Sequence, residues 1–161
     1  MRRRIGDVYR VRLTDGKVSY LQHLANDSTQ LGSNVVLVLQ RKYLLIEEVS
    51  FDHVSVHDGF FAHVFVKAGE TLGIWERIDN RRPVVQEPLP ILWSNCSHRD
   101  LQLEVSKNWH VWRTNQEMRA PLSQEELGNS EVGLVVNPTQ IVQRIEHTAY
   151  SFKYPRKGEI E

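Results

Sequence analysis

The tightest constraint on the fold sits near the start of the chain. Residues 8–13 alternate, with Tyr9, Val11 and Leu13 on one side and Val8, Arg10 and Arg12 on the other, and Asp15-Gly16 comes just after. An Asp-Gly pair supplies the two positive-φ positions of a two-residue type I′ turn. Folding across that turn pairs Leu13 with Val18, Val11 with Tyr20, and Tyr9 with Gln22. The apolar sides of both strands then coincide, as a half-buried antiparallel hairpin requires.

The rest of the chain reads mostly as strand. Val35 to Leu39 is apolar at every position, the pattern of a strand covered on both faces. Leu44 to Val49 reads as either a strand or a helical turn, and Phe51 to His57 alternates weakly before Asp58-Gly59. Phe60 to Lys67 is expected as a strand with Phe60, Ala62, Val64 and Val66 on one face. Ala68-Gly69-Glu70 is expected to turn the chain into a strand over Thr71 to Ile78, with Leu72, Ile74 and Ile78 sharing a side. Asp79 to Pro90 carries too much proline for a central strand and reads as a surface loop. Ile91–Trp93, Trp109–Arg113 and the alternating Leu101, Leu103 and Val105 are candidate short strands.

Two helices are expected late in the chain. Ser123 with Glu126 forms a capping box that Gly128 closes. Asn137 can cap a second helix with Pro138 at its first position, placing Ile141, Val142 and Ile145 on one stripe. Tyr150, Phe152 and Tyr154 suggest a closing strand, and Pro155 to Glu161 a frayed tail. The expected fold is therefore α+β and strand-dominated: a curved antiparallel sheet or partly open barrel with about two short helices, one domain over residues 1–161.

Composition narrows the function classes. Lys+Arg and Asp+Glu both number 20, so the basic excess of a dedicated nucleic-acid binder is missing. The sole cysteine, Cys96, excludes an intramolecular disulfide and a multi-cysteine zinc site. Met1-Arg2-Arg3-Arg4 is not followed by the apolar run of a signal peptide, and Val35–Leu39 is too short to span a bilayer. A cytoplasmic location without membrane contact is the expectation.

Candidate chemistry is sparse. His53, His57 and His63 are separated by three and five residues. In a strand the first two would stand about 13 Å apart, too far for one metal. Val54 takes the place of the glutamate that follows the first histidine of a zincin helix. Cys96 with His98 or His110 is a nominal thiol–imidazole pair, too thin to carry a hydrolase. Gly69 and Gly73 lack the third glycine and the Lys-Ser/Thr of a phosphate cradle, and no G-x-S-x-G is present. No catalytic residue, metal or cofactor is expected.

Residues suited to binding stand out more. Trp75, Trp109 and Trp112 are either packed or anchors for a partner, since tryptophan dominates interface hot spots. Glu47, Glu48, Asp52 and Asp58 fall within twelve residues with no Lys or Arg between them, a candidate negative patch for a basic partner. Single-stranded nucleic acid, stacked on tryptophans beside Arg81-Arg82 or Arg2-Arg3-Arg4, is the competing reading.

Ile5-Gly6-Asp7-Val8-Tyr9, leading into Leu13-Thr14-Asp15-Gly16, resembles the opening of the polymorphic-toxin immunity proteins of class twenty-six. Gly73-Ile74-Trp75-Glu76-Arg77-Ile78 and Pro138-Thr139-Gln140-Ile141-Val142-Gln143-Arg144-Ile145 are similar to later pieces of that family, in the same order. Tyr20 is followed by Leu21 where the family has tyrosine-glycine. The resemblance implies a bacterial cytoplasmic antidote that binds the C-terminal domain of its cognate toxin, such as a nuclease, and blocks it stoichiometrically.

Overall fold

The opening hairpin forms one residue away from the expected register. Strands β1 (Asp7–Arg12) and β2 (Val18–Asp27) pair with Tyr9 opposite Leu21, Arg10 opposite Tyr20 and Val11 opposite Ser19. The loop is three residues, not two. Gly16 N–H donates to Leu13 O, Leu13 N–H donates to Lys17 O, and Gly16 takes φ +79°. That is a type I turn closed by a glycine bulge, so Asp15 needs no positive φ. A one-residue slip sends every β2 side chain to the other face. Leu21 therefore joins Tyr9 and Val11, while Tyr20 joins Val8 and Val18.

This computed structural model describes residues 4–47, 49–85, 92–95, 109–117 and 130–152, with only the backbone of 92–95 and 109–111. The chain continues through β3 (Ser33–Leu39), β4 (Gly59–Val64), helix α1 (Val66–Thr71) and β5 (Trp75–Asn80). Next come β6 (Leu92–Asn95), β7 (Trp109–Trp112), β8 (Glu131–Val132), β9 (Val135–Val136) and helix α2 (Pro138–His147). A six-stranded open sheet runs β5-β1-β2-β3-β4-β9, antiparallel except for β4 with β9. A smaller sheet runs β7-β6-β8. The α+β, strand-dominated architecture is thus as expected, with an open sheet.

The main sheet is covered on both faces. On one, Tyr9, Val11, Leu21, Val38 and Phe60 pack against Val132, Val136 and the Ile141 and Ile145 stripe of α2. Full burial of each isoleucine contributes about 2 kcal/mol. Asn137 caps α2 as expected: its side chain accepts from Gln140 N–H at 2.9 Å while Gln140 Oε1 accepts from Asn137 N–H at 2.8 Å. Arg144 of α2 makes two bonds to Glu131 and lies 3.9 Å over the Phe60 ring.

Among the described residues the second face is covered not by an α-helix but by Tyr43 and the 3₁₀ turn at Phe51, whose rings lie edge-on to Tyr20 at 5.4 and 5.7 Å. Tyr43 is tied to Val18 by two backbone hydrogen bonds. Beside it, Leu24, Val35 and Leu37 are covered by Val54, Val84 and Val85. Both faces of Val35–Leu39 are buried, as its unbroken apolar run requires.

Other expectations give way. The strand from Phe60 ends at Val64; Val66 begins α1, and Ala68-Gly69-Glu70 is helical where a turn was expected. Gly69 permits this because a Cβ there would lie 1.9 Å from the Trp75 ring. The following strand starts at Trp75, and Leu72 and Ile78 are exposed. Asp79 and Asn80 belong to β5, so the surface loop starts later than expected. Tyr150 is buried, and residues 151–152 form a bend where a strand was expected. The Ser123–Gly128 helix, the Leu101–Val105 strand, Tyr154 and the tail lie outside the described residues. Among the described residues no helix is long and apolar enough to cross a membrane.

Candidate functional site

The segment that roofs the second face also produces the most exposed apolar feature of the described residues. After Tyr43 turns its ring into the core, Leu44, Leu45 and Ile46 are 57, 60 and 90% exposed. They do not dangle. Glu47 N–H donates to Leu44 O at 2.9 Å, and Glu47 Oε2 accepts from Leu44 N–H at 3.2 Å. The other carboxylate oxygen of Glu47 accepts from Arg41 Nη2 at 2.9 Å. Arg41 in turn lies 4.9 Å above the Tyr43 ring. The turn is closed at its base and its three aliphatic side chains point into water.

The residues expected to bind a partner separate into three groups. Glu47 belongs to this turn, as its brace. Asp52 and Asp58 follow it on two single-turn 3₁₀ helices, 51–53 and 56–58. Asp52 faces Arg81 Nη1 at 3.4 Å. Asp58 accepts from Ser55 N–H at 2.7 Å, and that bond holds its carboxyl below the usual range. Folding thus brings Arg41 and Arg81 beside two of these acids, so the unbroken negative patch read from the chain is a mixed-charge surface. Glu48 lies outside the described residues.

The tryptophans correct the expectation more sharply. Trp75 is 2% exposed and donates from Nε1 to Val66 O at 2.9 Å. Trp112 is equally buried. Neither can anchor a partner, because each is already packed inside the domain. Trp109 pairs through its backbone with Asn95 in the small sheet, and its side chain lies outside the described residues.

Leu44, Leu45 and Ile46 were missed by the sequence reading, which allowed a strand or helical turn there. The available signal was their setting: three successive aliphatics between Arg41-Lys42 and Glu47-Glu48. A strand would have buried alternate members only.

The histidines do not converge. His53 and His57 are exposed on the two 3₁₀ turns, while His63 on β4 is buried against Asp27 with Nε2 3.0 Å from Oδ2. Among the described residues no group of three potential ligands could hold a metal ion. Cys96 and His98 are outside the described residues, as is the side chain of His110.

The start of β1 and strand β5 are joined at Asp7. Asp7 is buried and accepts from Arg4 N–H, Asn80 Nδ2 and Arg77 Nη1. Gly6, at φ +94°, approaches so closely that a Cβ would lie 2.2 Å from Arg81 O. Their role in this fold is to clamp β1 to β5. Comparison with protein-family models, with curated proteins and with solved structures finds no match.

Proposed function

We propose that this domain is a binding protein of the immunity type, which neutralises a cognate bacterial toxin domain by occupying it stoichiometrically in the cytoplasm. The observation that carries the reading is the braced turn of Leu44, Leu45 and Ile46. An apolar projection already held in one shape loses little conformational entropy on docking. Arg41, 69% exposed at its side chain, adds a residue type favoured at interface hot spots. The pairing of Asp52 with Arg81 makes the surrounding surface mixed in charge, suited to a polar rim. An interface of standard size buries about 1,600 Å² in total, which a chain of 161 residues can supply. The resemblance of the Ile5–Tyr9, Gly73–Ile78 and Pro138–Ile145 segments supplies the toxin as partner.

The reading predicts a toxin gene adjacent to this one; the test is co-expression with the C-terminal domain of that product, together with titration of the two purified proteins. Rescue of growth and one-to-one binding tighter than micromolar are expected. Weaker binding without rescue overturns the reading. Retention on single-stranded nucleic acid with a steep salt dependence would replace it with the nucleic-acid alternative.

A further inference from the structure

Asp27 and His63 meet although their strands do not touch. Asp27 of β2 stands opposite Ser33 of β3, and His63 of β4 stands opposite Val35 of β3. Directly paired residues share a face, and so do residues two apart on one strand. All four side chains therefore lie on one side, and the carboxylate and imidazole reach each other across β3. The short side chain of Ser33 leaves them room.

The Asp27 carboxylate is saturated. Oδ2 accepts from His63 Nε2 at 3.0 Å, and Oδ1 accepts from Thr29 N–H, Thr29 Oγ1 and Gln30 N–H at 3.1, 3.3 and 3.1 Å. Those bonds shape the turn from β2 to β3. The same turn holds the stretch that follows β7. Ser28 N–H and Oγ donate to Asn115 Oδ1 at 2.8 and 3.0 Å, Asn115 Nδ2 donates to Asn26 O at 2.9 Å, and Gln30 Nε2 donates to Gln116 O at 3.4 Å.

His63 has two nitrogens and one partner. An ionised carboxylate only accepts, so Nε2 carries the proton and Nδ1 is bare. Nδ1 is buried with no hydrogen-bond partner. A second proton would create an N–H donor facing nothing that accepts it, in a site closed to water. Burial disfavours the imidazolium and Asp27 only partly offsets it; no other charged side chain among the described residues contributes.

We propose that the Asp27–His63 pair is a proton-operated latch between the main sheet and residues 115–116. The neutral imidazole keeps the 27–30 turn in the shape that grips Asn115 and Gln116. Protonation favours a locally opened state in which His63 is hydrated, the turn is released and the contact with Asn115 and Gln116 is lost.

Amide hydrogen exchange on the whole chain, corrected for the intrinsic effect of pH, tests this. The amides of Ser28, Thr29 and Gln30 are expected to lose protection as pH falls below 6.5, through openings insensitive to low urea. The loss approaches about tenfold per pH unit, the limit for one proton. His63→Gln, which keeps a donor for Asp27 without the titration, should flatten that dependence. If these amides open only with the whole sheet, at the rate of Leu21 and Val36, the latch is refuted. It is equally refuted if H63Q keeps the pH dependence. Should H63Q fail to fold, the imidazole ¹⁵N shifts of the unaltered protein decide: titration of His63 must track the loss of protection, and titration without it overturns the proposal.

Discussion

Arg77 Nη1 lies 3.3 Å from the carboxylate of Asp7, which is wholly buried although the two residues are seventy positions apart. Burial pushes the Asp7 carboxyl up, but Arg4 N–H, the Asn80 amide and the Arg77 guanidinium outweigh it, leaving the group below its ordinary value. Removing the Asp7 charge takes away a counter-charge of Arg77 and the ionised acceptor of Arg4 N–H and Asn80 Nδ2 in a buried site. Asp7→Asn should therefore cost about 3 kcal/mol, read from urea denaturation midpoints at neutral pH. Loss below about 0.5 kcal/mol would show that the clamp on β5 does not depend on that charge.

Acid should weaken the domain in two stages. Asp7 and Asp27 are held below 3.8 and His63 below 6.5, so each binds fewer protons folded than unfolded. For His63 the stabilising effect is complete above 6.5 and is lost as pH falls through its folded value. For the carboxylates it is complete above 3.8 and lost below. Melting temperature against pH should fall first under 6.5 and again under 3.8, and His63→Gln should remove the first fall. A flat profile between pH 7.5 and 5 in the unaltered chain contradicts this.

Charging the exposed turn should separate binding from stability. Leu45→Asp with Ile46→Asp changes side chains that contact little within the domain, so stability should shift by no more than about 0.5 kcal/mol. If the turn is the anchor, affinity for the partner should fall at least about thirtyfold, the size of a 2 kcal/mol hot spot. Calorimetric titration beside a thermal melt measures both. Unchanged affinity moves the interface elsewhere.

Gly69→Ala tests the packing of α1. The added carbon would lie 1.9 Å from Trp75 Cε2, an atom of a rigid ring, so the whole side chain or α1 has to move. A loss of about 1–3 kcal/mol is expected, with altered Trp75 fluorescence as the ring shifts. Normal stability would mean that α1 can move off β5.

Local chemistry was legible where it acts alone. Asn137 and Pro138 announce a helix start, and α2 begins there. The register of the first hairpin was not, because Asp15-Gly16 suits both a two-residue and a three-residue loop, and the apolar alternation favours the one that does not form. Tyr20 shows why: its apolar ring has a second core to enter, roofed by Tyr43 and Phe51, which no reading of residues 8–22 alone can reveal. Segment 66–71 was misread for a similar reason, since Gly69 reads as a turn residue but is required in the helix by the Trp75 ring packed against it. For Trp75 and Trp112 the alternatives were settled by burial, a property that spacing alone does not report.

The stretch from Tyr43 to Val54 closes one side of the sheet and, in the same few residues, displays Leu44, Leu45 and Ile46. Whatever grips those three side chains also holds the lid over Tyr20 and Val8. A bound partner would thus lower the breathing of a core it never touches, and loosening that core would weaken the grip by the same free energy.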